Sequence, residues 1–561
     1  MKSKLSKLVI ALLILLLLVS SAFAGGQKEA KGKQAATKKA ATQQPAVKKR
    51  VQFNVGFTTE EAIDTLIPDE SWQYVEMGCI FWPLVYDQLW ITGPAPGYKP
   101  IPMLAKSWET KDHQTWVFHL RENAKFHDGV PVTAEDVAFT LKYLPKSDPA
   151  WQFPDTDCKS VKVIDNYTIQ FTLKEIHGGS YPPVFWTPIL PKHIWEKYKN
   201  KMHSFNNANA IGSGPFKLKE FKSGQYIWLV KNKDYWGEKP SVDDVVLKTY
   251  GSTESEYAAL KTSEIDMIGY NGIAPIALAG FKGVKGITTR IDPGITIDWL
   301  SFNLHKKNAI RDLNVRKAIM YGINVKRIIA IAFLGYADPA DSFMYTELKD
   351  HNPNLNQYAY NPEKAKKILS DAGYKDTDGD GILNDPKLGK DLSFVLLGPS
   401  DWTREIKAMH LIKEELKTIG IEIKLKVIDL DTFYDFWYAP NNDKFDIAIG
   451  NEEPGPHADW IWEFARSWDN GGEGWNCAYY NNKEFDKYLD AMAAEVDMQK
   501  RRADLFKMQS ILNKDLPYGF LLRYKSINPL RTDKFTGFVS TMGGVSTWIN
   551  PWSYYKVRPV K

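Results

Sequence analysis

Apolar and polar residues alternate over residues 51–55, a period of two that puts every second side chain on one face and predicts a half-buried strand. Thr115–Leu120 and Tyr226–Lys231 predict two more strands. Residues 107–109 predict a further strand, joined to Thr115–Leu120 by the polar turn Lys111-Asp112-His113, and residues 243–250 another. Helix signals lie between them. Thr133 has the chemistry of an N-cap, with Asp136 three residues on as a capping-box-like partner. Asn361 before Pro362 is a cap followed by proline at the first helical position; residues 363–372 carry that helix and Gly373 stops it. Residues 408–419 are amphipathic and end at Gly420, with strands predicted at 392–397 before and 421–427 after. Helices and strands in alternation predict an α/β fold.

The N-terminus breaks this pattern. Lys2, Lys4 and Lys7 precede an uncharged apolar run at residues 8–19, short of the roughly 20 residues a membrane span needs. Ala22-Phe23-Ala24 then offers the small–x–small site of a signal peptidase. Residues 1–24 therefore read as a signal peptide, and the mature chain is expected outside the cytoplasm. No cysteine near the cleavage site offers a lipid anchor. Residues 25–50 are rich in Gly, Ala, Gln and Lys without an aromatic, and read as a flexible linker.

The chain has 561 residues, which at the usual domain size of roughly 100–200 residues suggests about three lobes. Its net charge is +5, with both signs interspersed along the mature part, so nucleic acid is not an expected partner. Cys79, Cys158 and Cys477 form no CxxC and no metal spacing, and read as buried, inert thiols. HExxH, GxSxG, GxGxxG and GxxxxGK[ST] are absent from the sequence. The adjacent carboxylates Glu452 and Glu453, in a Gly/Pro-rich stretch, read as solvated loop residues rather than an acid/base pair. No catalysis and no cofactor are expected. Asp376, Asp378 and Asp380 with Gly381 match the start of a calcium loop, but its twelfth position holds Lys387 where glutamate belongs. A turn closed by its own side chains is the simpler expectation.

One set of motifs is specific. Residues 104–109 (LAKSWE), 116–121 (WVFHLR) and 125–137 (KFHDGVPVTAEDV) come first. Gly212-Ser-Gly-Pro-Phe216, Asp234-Tyr-Trp-Gly237, Phe302-Asn303 and Val315-Arg-Lys-Ala318 follow, then Tyr360-Asn-Pro362, Ala372-Gly-Tyr374, Phe445-Asp-Ile447 and Asn482-Lys-Glu-Phe-Asp486. In this order the series resembles the family 5 extracellular solute-binding proteins, the peptide- and nickel-binding components of ABC importers. The resemblance implies a three-lobe fold of the periplasmic binding protein type II kind, with the ligand cleft between lobes I and III and a permease as partner. It places lobe I at 51–91, 206–300 and 528–561, lobe II at 92–205 and lobe III at 301–527. Ligand capture by hinge closure of a monomer follows from that layout. Arg121 and Asp128, inside the motifs, read as structural.

The ligand is less legible. Peptide binders of this family hold the terminal ammonium with an aspartate shortly after the strand that here includes Phe445-Asp446-Ile447. Asp459 fits that role, with Glu452 as the alternative. Trp460, Trp462, Trp468 and Trp475 cluster in the same region, with Tyr479 and Tyr480 beyond, and family analogy puts Trp82, Trp90 and Trp402 near the cleft. Indoles suit the faces of sugars as well as core packing. Oligopeptide is the first expectation and oligosaccharide the alternative, with Trp82, Trp402, Asp459, Trp460, Trp475 and Tyr479 as expected ligand contacts. Nickel is disfavoured, because no histidine cluster accompanies these segments.

Overall fold

The computed structural model describes residues 50–58, 63–67, 75–94, 97–143, 158–179, 181–184, 186–270, 272–438, 443–455, 459–468, 475–547 and 550–561, without the side chains of residues 75, 76, 203 and 460. The expected signal peptide, the linker up to residue 49 and the Trp460 side chain lie outside the described residues. Among the described residues no helix is long and apolar enough to cross a membrane.

An eleven-stranded sheet runs through the molecule. One wing is parallel where Gln52–Thr58 lies between Asp244–Tyr250 and Met267–Ile268, and it ends in the antiparallel strands Tyr226–Lys231 and Phe216–Lys222. The other wing sets Ser393–Pro399 parallel to both Glu422–Ile428 and Ile447–Glu452. Between them stand two long antiparallel strands, Ile287–Phe302 and Tyr518–Arg531, paired from Ile287–Arg531 to Ser301–Tyr518. Their register slips between Pro293 and Ile297 and again between Asp298 and Trp299. Strand directions across these pairings make the parallel strands of the two wings run toward each other, so both sets of carboxyl ends meet in the middle. In open α/β sheets that end is where ligands bind.

Several separate cores support this frame. Phe53, Val55, Trp82, Leu229 and Leu247 pack on the first wing. The second wing is covered on one side by Leu300, Ile319 and Ile412 and on the other by Trp299, Phe343, Trp437 and Trp462. A second, four-stranded sheet, ordered Ala105–Thr110, Thr115–Leu120, Thr168–Leu173 and Cys158–Asp165, has its own core of Trp90, Phe118 and Phe171.

Local signals act as the sequence predicts. Thr133 N–H and Oγ1 donate to Asp136 at 2.9 and 3.0 Å ahead of helix Ala134–Tyr143. The Asn361 side chain accepts from Lys364 N–H at 2.9 Å and opens helix Pro362–Asp371, and Gly373 beyond it sits at φ +91°. Gly212 and Gly214 are needed for close approach: a Cβ at these positions would stand 2.0 Å from the Val85 carbonyl oxygen and 2.7 Å from that of Leu84. Arg121 donates to the Met103 carbonyl and stacks on Trp236, and Asp128 pairs with His193 at 2.8 Å, so both are structural. Cys79 and Cys477 are buried free thiols, while Cys158 is only half-buried. One boundary differs: the helix expected from residue 408 begins at Thr403, because Trp402 stands at its N-cap without a capping side chain.

Candidate ligand site

The middle of the sheet is lined from both wings. Glu452 ends strand Ile447–Glu452 and Glu453 follows it. Glu453 is held from two directions: Tyr270 Oη donates to it at 3.0 Å and Thr296 Oγ1 at 2.8 Å. Tyr270 lies two residues past strand Met267–Ile268 of the first wing, and Thr296 lies in the slipped register of the central strand. Glu452 has a weaker partner, the Tyr438 hydroxyl at 3.4 Å. Enclosure by protein, and then the neighbouring Glu453, push the Glu452 carboxyl up to about 7. Cys79 of the first wing, near Glu453, and Cys477 of the second, near Glu452, are buried thiols pushed up for the same reasons. The reading of this pair as solvated loop residues is thereby corrected. Both are half-buried, and one closes the end of a strand.

Aromatic rings line one side. Helix Leu430–Trp437 opens on Asp429, whose side chain accepts from Thr432 N–H at 2.9 Å. Phe433 and Trp437, four apart, are buried. Tyr434 and Tyr438 occupy the adjacent stripe and stack with ring centroids 5.7 Å apart at 7°. Trp475 meets Tyr438 at 6.1 Å and Phe464 at 5.4 Å, and is 42% exposed. Trp402 packs on Phe433 at 5.4 Å, so the row runs from Trp402 to Trp475.

The other expected contacts sit elsewhere. Trp82 is buried in the core of the first wing, and Trp90 and Trp462 are buried in theirs. Tyr479 packs on His305 and Trp468, beyond the far end of strand Ile287–Phe302. Asp459 opens the short 3-10 helix Asp459–Ala465 and is paired with Arg501. Tyr270, Thr296, Tyr434 and Tyr438 carry no expectation from the sequence. For the two tyrosines the four-residue spacing beside a buried stripe is the available signal.

A model of the bacterial extracellular solute-binding proteins, family 5 middle, matches residues 99–472. The chain belongs to this family. The oligopeptide-binding protein AppA of Bacillus subtilis is 30% identical over 413 residues, 72% of this chain and 74% of that protein. The probable D,D-dipeptide-binding periplasmic protein DdpA of Escherichia coli is 28% identical over 78% of this chain and 81% of its own length. The solved structure of Bacillus subtilis AppA in complex with a nonapeptide superposes with a TM-score of 0.71 at 24% identity, covering 92% of this chain and all of that one. A periplasmic oligopeptide-binding protein of Thermotoga maritima gives 0.78 at 23% identity, covering 91% and 99%. The two superpositions show a shared lobed fold.

As a family 5 member the chain is a substrate-binding protein of the ABC importer type, not an enzyme. Its one grouping of acidic residues with metal-ligand spacing, among the described residues, is the exposed trio Asp376, Asp378 and Asp380. There Asp376 accepts the N–H groups of Gly379 and Gly381 at 2.6 and 2.9 Å, which hold its carboxyl below the usual range. Asp385 accepts from Lys387 N–H at 2.8 Å within its own turn. The loop is closed by its own side chains.

Proposed function

We propose that this protein works outside the cytoplasmic membrane, captures oligopeptides between the two wings of its sheet and delivers them to an ABC permease. The observation that carries the reading is the pair Glu452 and Glu453. Two carboxylates converge where the strand ends of both wings meet, and among the described residues the groups acting on Glu452 are Glu453, a tyrosine hydroxyl and a backbone amide, with no cation among them. Burying such charge is costly unless a partner supplies the opposite sign. A peptide's terminal ammonium supplies it, with Glu452 as its acceptor and Glu453 steadied by Tyr270 and Thr296. Asp459, already matched by Arg501, is the less suitable acceptor. The lobes follow the layout drawn from the family, and the register slip between Pro293 and Ile297 is the place for the hinge. There Arg523 donates to the Ile295 and Phe343 carbonyls at 3.0 and 3.2 Å.

Trp475 supports oligosaccharide as a second reading, because a half-exposed indole beside Tyr438 can stack on a sugar face. Calorimetric titration of the mature chain separates the two. Short peptides with free N-termini are expected to bind, and acetylating the terminus is expected to weaken binding about tenfold or more, as loss of a charge-assisted bond requires. Binding of gluco- or manno-oligosaccharides with no response to any peptide would replace the first reading by the second.

A further inference from the structure

Two parts of the molecule with separate cores meet at Gly178. Tyr181 belongs to the core of the four-stranded sheet, with Trp90, Phe118 and Phe171. Leu489 and Met492 of helix Lys483–Ala494 and Leu505 of helix Met498–Asp515 belong to a core of the second wing. The last four carbonyls of an α-helix have no partner within it. In helix Lys483–Ala494 two of these are satisfied from outside. Arg501 Nη1 donates to the Met492 carbonyl, and the N–H of Gly178 donates to the Ala493 carbonyl at 2.8 Å. Arg501 Nη2 binds Asp459, and Asp459, Arg501 and Tyr181 line one cavity between the two parts.

The contact admits only glycine. A Cβ at residue 178 would stand 2.5 Å from the Glu495 carbonyl oxygen and 2.7 Å from both the Ala493 oxygen and the Glu495 nitrogen. These are main-chain atoms and cannot rotate away. Gly178 is not among the glycines at positive φ, so close approach, not backbone conformation, is what selects glycine here.

We propose that Gly178 is a closing latch: its amide caps helix Lys483–Ala494 when the body carrying the four-stranded sheet rests against that helix, holding the closed form at its rim. Asp459 and Arg501 are positioning residues that fix the helix end receiving the cap. The inference rests on the closing-cleft reading above, and its test needs no ligand.

Hydrogen exchange and solution scattering are measured on the mature protein, on Gly178→Ala and on Gly179→Ala. Gly179 is the control, since the nearest atoms a Cβ there would meet are side-chain atoms of His177 and Tyr181 in its own loop, at 2.9 and 3.2 Å, and not main chain of the helix. The expected result is that residues 175–181 and 490–497 exchange several-fold faster together in Gly178→Ala, and that its radius of gyration rises. Its melting temperature and the behaviour of Gly179→Ala should stay at wild type. Equal exchange in wild type and Gly178→Ala, or the same loss in both variants, would overturn the latch. Either outcome leaves the peptide titration, and so the ligand reading, to stand or fall separately.

Discussion

The hydroxyl of Tyr270 donates to Glu453 at 3.0 Å, across 183 residues of chain. One partner follows a strand of the first wing and the other a strand of the second, so the bond ties the wings together at the site. A hydrogen bond to a charged group contributes about 1.5–3 kcal/mol net. Tyr270→Phe is therefore expected to weaken ligand binding by about tenfold or more, since 1.4 kcal/mol is a factor of ten. Calorimetry checks this; unchanged affinity would remove Tyr270 from the closing mechanism.

The Glu452 carboxyl, pushed up to about 7 by enclosure and by Glu453, sets a pH dependence. A glutamate in the unfolded chain loses its proton near about 4.3. Between those values the folded protein holds a proton that the unfolded chain has released, so this group's contribution to stability falls as pH rises. A bound ammonium reverses the preference by favouring the carboxylate. Ligand affinity is expected to increase from pH 5.5 to 7.5, with proton release on binding, and Glu452→Gln should flatten the profile. Calorimetry in buffers of different ionisation enthalpy measures the proton directly.

Tyr524 stands between two buried carboxyl groups, with Asp298 at 2.7 Å from its hydroxyl and Glu405 also within hydrogen-bond reach of it. One hydroxyl hydrogen serves one acceptor at a time, so a carboxyl proton must fill the other bond. Burial and then Glu405 accordingly hold Asp298 well above the usual carboxylate range. Stability should fall as pH climbs above about 4, and Asp298→Asn should flatten that slope and stabilise the protein near pH 8. Tyr524→Phe leaves both carboxyls without their donor and should cost roughly 1–3 kcal/mol. Urea unfolding at pH 5 and pH 8 tests both variants.

Two tryptophans expected to act alike should separate. Trp82 is 5% exposed within the first wing's core, and Trp82→Ala should destabilise the fold by about 3–5 kcal/mol. Trp475 is 42% exposed, and Trp475→Ala should leave the melting temperature nearly unchanged while weakening ligand binding by roughly thirtyfold, about 2 kcal/mol. Measuring melting and affinity on the same samples decides it. A Trp475→Ala protein that binds normally would take the aromatic row out of the site.

Signals confined to a few residues are legible in the amino-acid sequence. Asn361 caps its helix, and Gly373 ends it, because both act on backbone groups three or four residues away. The start of helix Thr403–Lys417 is not legible, since Trp402 has no capping oxygen and the first turn buries Glu405, which periodicity counts as polar. The site is half legible. Glu452 stands out as an alternative ligand group, but its enclosure comes from Tyr438 and Cys477, and that of Glu453 from Tyr270 and Thr296. Tyr270 and Thr296 are brought in by strand pairing over long separations, which no local pattern records, and Tyr438 comes from the end of the preceding helix. The tryptophan cluster misleads for the converse reason: residues close in sequence part company in the fold, with Trp462 in the core and Trp475 at the surface.

The wiring of the central sheet also governs when a newly made chain can fold. Thr288 and Thr532 touch at 2.7 Å although 244 residues separate them, and strand Ile287–Phe302 has Tyr518–Arg531 as one neighbour along nearly its whole length. Closing so long a loop precedes the contacts that reward it, which slows folding. A chain emerging N-terminus first thus has every strand of the first wing in hand but lacks the strand that joins Met267–Ile268 to the rest. Until nearly the last residues have been synthesised the two wings cannot be joined into one sheet.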